Sequence, residues 1–106
     1  MTARDTLDAA MTEADFQRQV IELAELHGWH VWHDNDPRRN ARGLPDLLLL
    51  RGATLLWVEL KSERGRVRPE QQAFIERLKQ VKYVSADVLR PSDWPEIVKV
   101  LTTRVR

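Results

Sequence analysis

The chain contains no cysteine. Disulfides, cysteine-ligated zinc and thiol nucleophiles are therefore excluded. No apolar run approaches the ~18 residues of a membrane span, and no N-terminal segment has the pattern of a signal peptide. The expected compartment is the cytoplasm of a host cell. Internal repeats and low-complexity stretches are also missing. What remains is a soluble globular chain of 106 residues, 42% hydrophobic and 31% charged. That length is one ordinary domain, residues 1–106, with residues 1–11 expected as a loosely ordered lead-in. A core of this size is modest, and a dimer would help it.

The net charge of +1 conceals an uneven distribution. From Met1 to His30 two arginines stand against six acids, whereas from Arg38 to Arg68 eight basic residues stand against three acids. A basic middle on a near-neutral chain suits local docking of a polyanion; the alternative is a solvated basic surface.

The coarse pattern is α-β-β-β-α-β-α, an α/β class in which helices cover a sheet. Thr12, with Asp15 three residues on, starts a helix whose stripe is Phe16, Val20, Leu23, Ala24 and His27, and Gly28 stops it. Glu13 lies one turn before Phe16 and is expected on the inward face. Trp29–His33 alternates as a strand, and 34–43 reads as an Arg-rich loop. Residues 46–51 and 55–61 read as strands joined by a hairpin at Arg51-Gly52-Ala53-Thr54. Pro69 opens a helix with Phe74, Leu78 and Val81 inward and Gln71 one turn before Phe74. Tyr83–Leu89 is a strand, and Ser92 caps a last helix to about Leu101.

The stretch LLWVELK, residues 55–61, is apolar enough to be buried yet ends in Glu59 and Lys61. Alternation puts Trp57, Glu59 and Lys61 on one face. A hairpin around 52–53 sets Asp46 opposite Glu59, at a Cβ spacing of about 5 Å. Two adjacent carboxylates repel unless one is protonated or a cation lies between them. A hard divalent ion such as Mg²⁺ prefers such oxygens, and the Leu60 backbone carbonyl offers another. Lys61 would then stabilise charge growing on a phosphate. The plainer reading is an ion pair at strand ends.

Gly43-Leu44-Pro45-Asp46, Val58-Glu59-Leu60-Lys61 and Pro69-Glu70-Gln71 together resemble the VRR-NUC branch of the PD-(D/E)xK nuclease superfamily. The similarity runs from about Glu13 to Trp94 and includes Gly28-Trp29 and Arg90-Pro-Ser-Asp-Trp94. The resemblance implies a restriction-endonuclease-like mixed sheet flanked by helices and a Mg²⁺- or Mn²⁺-dependent endodeoxyribonuclease. It assigns Asp46 and Glu59 as metal ligands, Lys61 as the catalytic lysine, Gln71 as a glutamine lining the site, and Glu13 as an acid reaching the metal directly or through water. Small standalone members look like phage or bacterial proteins, some resembling homodimeric nucleases that cut four-way junctions. One departure is Lys82, where relatives often carry glycine.

His27, His30, His33, Asp34 and Asp36 are crowded enough to suggest zinc, but strand alternation sends His30 and His33 to opposite faces, whereas zinc needs converging ligands. His33 or Asp34 near the cleft is a candidate substrate contact or proton carrier. Arg38, Arg39 and Arg42, and equally Arg64, Arg66 and Arg68, are candidate phosphate contacts. No base-reading motif is present, so recognition is expected through shape and backbone. The four tryptophans read as core or dimer anchors. The leading expectation is a structure-selective nuclease on branched DNA. The alternatives are a nuclease for flaps, single strands or nicked duplex, a non-cleaving DNA-binding module, and a protein-interaction domain.

Overall fold

A computed structural model describes residues 1–33 and 45–103. The elements are α1 (Ala3–Ala10), α2 (Glu13–Leu26), β1 (His30–His33), β2 (Leu47–Arg51), β3 (Thr54–Leu60), α3 (Pro69–Leu78), β4 (Val84–Leu89), a single 3₁₀ turn (Pro91–Asp93) and α4 (Trp94–Thr102). From α2 onward this is the order α-β-β-β-α-β-α that the sequence pattern gives. No described helix is long and apolar enough to cross a membrane.

One mixed sheet in the order β1-β2-β3-β4 organises the chain. β1, β2 and β3 form an antiparallel meander, and β4 returns parallel to β3 after the α3 crossover. Gly52 and Ala53 make the two-residue turn between β2 and β3. Gly52 takes φ +58°, the left-handed conformation such a hairpin turn demands.

Alternation then divides the side chains. Leu47 and Leu49 on β2 and Val58 and Leu60 on β3 pack on one face against Phe16, Val20 and Ala24 of α2 and Ile97 and Leu101 of α4. Trp57 and Glu59 go to the other face, where α3 buries Gln71 and Ile75. Trp29 closes the first layer: it is buried, and its Nε1–H donates to the Leu101 carbonyl at 2.9 Å. Arg51 lies over its ring at 4.3 Å and donates to the carbonyls of His27 and Leu101. Arg51→Ala thus removes a cation–π contact, takes the side-chain donor from the His27 carbonyl and leaves the Leu101 carbonyl with Trp29 alone. A destabilisation of about 1–3 kcal/mol is expected in a denaturant titration, with Arg51→Lys losing less.

Several expectations need correction. Residues 3–10 form a helix rather than a loose lead-in. The Thr2 side chain and the Asp5 carboxylate cap each other's backbone N–H groups, and α1 rests against the Pro91–Asp93 turn. Its one buried side chain is Asp8, paired with Arg4 at 3.2 Å, so no apolar stripe marked it. On α3 the inward positions are Gln71 and Ile75; Phe74 and Leu78 are half-buried and Val81 lies exposed beyond the helix end. Ser92 does not cap α4, because the 3₁₀ turn intervenes; its N–H instead donates to the Glu63 carboxylate at 2.9 Å. In the turn that holds Lys82, the residue before β4, Tyr83, takes a left-handed φ of +69°. Of the tryptophans, Trp94 packs against the core, Trp57 is half-buried, and Trp32 is 48% exposed rather than a core anchor.

Candidate active site

Asp46 stands one step before the first β2–β3 pair. That register matches Leu47 with Val58, so the next step along matches Asp46 with Glu59. The arrangement follows from a two-residue turn and six residues of strand. Asp46 is fixed from one side: its Oδ2 accepts the Leu60 N–H at 3.0 Å.

Glu59 is the most deeply buried ionisable group among the described residues. It is 1% exposed. Its Oε1 accepts from Gln71 Nε2 at 2.9 Å and lies 3.6 Å from Lys61 Nζ. Its Oε2 is buried and receives no donor from the described residues. The neighbouring Asp46 carboxylate is another acceptor, and satisfies that oxygen only when one of the two acids holds a proton. Burial, then repulsion from Asp46, pushes the Glu59 pKa from its ordinary value near 4.5 up to about 8; Lys61 pulls the other way but loses.

Gln71 is placed by helix chemistry. Pro69 occupies the first turn of α3, and the cap residue Arg68 offers no side-chain cap. Gln71 reaches back instead, its Oε1 accepting the Arg68 N–H at 3.0 Å. The other end of the same amide holds Glu59. One side chain therefore joins the start of α3 to the buried acid on β3, as its expected inward position required.

Glu13 departs from expectation. It is exposed at the first position of α2, where side chains tilt toward the N-terminus and off the end of the packed face. It still senses the site. Partial burial raises its pKa, with Lys61 opposing and Asp46 assisting the rise. Among the described residues no three His, Cys, Asp or Glu side chains converge as a ready-made metal cage. The acids brought together are the pair Asp46 and Glu59, with Glu13 at their margin.

Arg64, Arg66 and Arg68 are exposed on the segment that runs from Lys61 to α3. Arg38, Arg39, Arg42, Asp34, Asp36, Gly43 and Leu44 lie outside the described residues. His33 is half-buried at the end of β1, paired with Leu47 and so beside the Asp46 end of β2. A cavity of about 630 Å³ lies between α1 and α2, lined by Arg4, Asp8, Asp15, Arg18 and Glu22. A groove of about 510 Å³ runs along α4 and β4. Neither is lined by Asp46, Glu59 or Lys61. An extended backbone substrate needs an open approach rather than an enclosed pocket, so the buried carboxylate marks the candidate site and cavity size does not. Sequence reasoning missed Arg90, whose guanidinium holds the turn after Lys61; a lone arginine at a strand end carries no pattern.

A family model described as the VRR-NUC domain matches residues 7–90. That span takes in Glu13, Asp46, Glu59, Lys61 and Gln71 and ends on Arg90. No curated protein and no solved structure matches the chain.

Proposed function

Because the chain belongs to the VRR-NUC domain family, a family of DNA-processing nucleases, we propose that it is a Mg²⁺- or Mn²⁺-dependent endonuclease that hydrolyses DNA phosphodiesters, acting as a homodimer on branched DNA such as four-way junctions. The observation that carries this reading is Glu59: a fully buried carboxyl facing Asp46, with a lysine at 3.6 Å from one oxygen and the other given no donor among the described residues except a proton shared with Asp46. A buried acid with an unmet oxygen is expensive for a structural protein and useful for one that binds a cation.

The residues fit a hard divalent ion. Asp46 and Glu59 would hold it, with the Leu60 backbone carbonyl as a further oxygen and Glu13 acting through water; two carboxylates plus waters is the usual complement for Mg²⁺. Such an ion, when bound, would lower the pKa of water and polarise a phosphoryl oxygen. The chain's own groups do the rest. The Leu60 N–H fixes one Asp46 oxygen. Gln71 holds the Glu59 carboxyl in a single orientation. The Lys61 ammonium puts positive charge where the transferring phosphoryl group becomes most negative. Arg64, Arg66 and Arg68, and Arg38, Arg39 and Arg42, would contact backbone phosphates, a mode that positions DNA without reading bases.

The preference for branched DNA rests on the family resemblance and on symmetry: two sites related by a two-fold axis suit paired cuts in a junction. The test is a panel of end-labelled four-way junctions, flaps, single strands, nicked and intact duplexes with Mg²⁺ or Mn²⁺. Paired incisions in junctions, at least tenfold faster than in duplex, are expected. Equal cleavage of every substrate would discard junction selectivity. Tight, metal-independent binding with no cleavage would replace this reading with a DNA-binding module.

A further inference from the structure

Lys61 and Gln71 approach the same Glu59 oxygen from the two ends of one segment, residues 61–71. Something must hold that segment, because its central stretch carries three exposed arginines and no buried apolar side chain. β3 and β4 are parallel, so both strands leave the sheet together, and the Lys61 N–H donates to the Leu89 carbonyl at 3.1 Å. The next residue on β4's side is Arg90. Its Nη1 donates to the carbonyls of Ser62 at 2.8 Å, Glu63 at 3.1 Å and Gly65 at 2.8 Å.

The turn that receives these bonds is tight. The Gly65 N–H donates to the Ser62 carbonyl at 3.0 Å, and a Cβ at Gly65 would fall 2.8 Å from Ser62 Oγ. A second tie runs from the Ser92 N–H to the Glu63 carboxylate, and Asp93 accepts the Arg90 N–H at 2.8 Å. Three carbonyl dipoles thus converge on one guanidinium nitrogen. A delocalised cation meets such a cluster well; a neutral side chain would leave the carbonyls without their donor.

We propose that Arg90 is a positioning residue for the nuclease site. It clamps the Ser62–Gly65 turn and thereby fixes Lys61 against Glu59 and holds Arg64, Arg66 and Arg68 toward the substrate. This rests on the nuclease reading for its catalytic consequence. Arg90 itself touches no substrate: it is half-buried, and the three carbonyls take up its Nη1 hydrogens.

Arg90→Ala and Arg90→Lys are compared with wild type well below the melting temperature, by kcat at saturating DNA and by amide hydrogen exchange. Misplacement of a catalytic group by about 1 Å can cost about 100-fold; at least a tenfold fall in kcat is expected for Arg90→Ala. Exchange should quicken in residues 61–68 and stay unchanged in β1 and β2. A few millimolar guanidinium ion should restore part of the Arg90→Ala rate and none of the Lys61→Ala rate. Wild-type kcat in Arg90→Ala, or exchange quickened across the whole sheet, would overturn the proposal. A wild-type protein that cleaves no DNA would remove the nuclease reading instead. The exchange comparison would then still decide the clamp: unchanged exchange at 61–68 would end it.

Discussion

Glu59→Gln is expected to abolish most of the pH dependence of stability between about pH 4.5 and 8, the span between the ordinary and the raised Glu59 pKa. In metal-free wild type the folded state holds a proton on Glu59 that the unfolded state releases above about 4.5. Folding is therefore favoured at low pH and loses that contribution as pH rises through about 8. Each pKa unit is worth about 1.4 kcal/mol, so the loss is large for a domain of this size, although part of it is shared with Asp46. Glutamine copies the protonated acid: its NH₂ can donate to Asp46 while its oxygen still accepts from Gln71. Melting curves from pH 5 to 9 should slope downward for wild type and run nearly flat for the variant, which should be the more stable protein at pH 9. Mn²⁺ at pH 8 should raise the melting temperature of wild type and not of Glu59→Gln. A wild-type curve that rises with pH would contradict the burial argument.

Asp46→Ala should reduce cleavage by about 10³-fold or more, since in the proposed mechanism several kcal/mol of transition-state stabilisation would depend on the cation and each 1.36 kcal/mol is a factor of ten. The fold should survive. The lost acceptor of the Leu60 N–H is only part-buried and can be replaced by water. Removing Asp46 also removes the repulsion on Glu59, so the metal-free variant should gain stability at alkaline pH while its response to Mn²⁺ disappears. A purely structural ion pair predicts no change in the response to metal, because none would exist. Single-turnover cleavage and thermal shift on the same protein separate the two cases.

The facing of Asp46 and Glu59 was legible because it needed only strand alternation and a two-residue turn, and Gly52 marks that turn. Gln71 was legible for a similar reason: Pro69 fixes where α3 begins, and the third residue of a helix turns back toward its cap. Glu13 misled because helical spacing fixes direction around the axis but not how far the first turn projects past the sheet. α1 left no apolar stripe to read, its buried residue being an acid paired with Arg4. Arg90 was hidden because its role depends on a turn 25 to 28 residues earlier folding onto it. Such a contact has no local period.

The same distinction separates the arginines. Arg51 and Arg90 spend their donors on backbone carbonyls and belong to the architecture. Arg64, Arg66 and Arg68 are exposed and free to meet phosphate. Salt dependence reads the difference. Replacing one of the exposed three by alanine should lower the slope of log K against log salt by about 0.9 per lost phosphate contact on duplex. Arg51→Ala should leave the slope unchanged.

The most direct test of the whole account is cleavage of labelled DNA by wild type and Lys61→Ala, with and without Mg²⁺. Lys61 is the residue whose charge meets Glu59 at 3.6 Å and which the proposed mechanism sets against the phosphoryl group. The account predicts metal-dependent incision by wild type and a loss of about 10²-fold or more in the variant, with its melting temperature little changed. Equal cleavage by the two proteins, or incision that persists in EDTA, would contradict it.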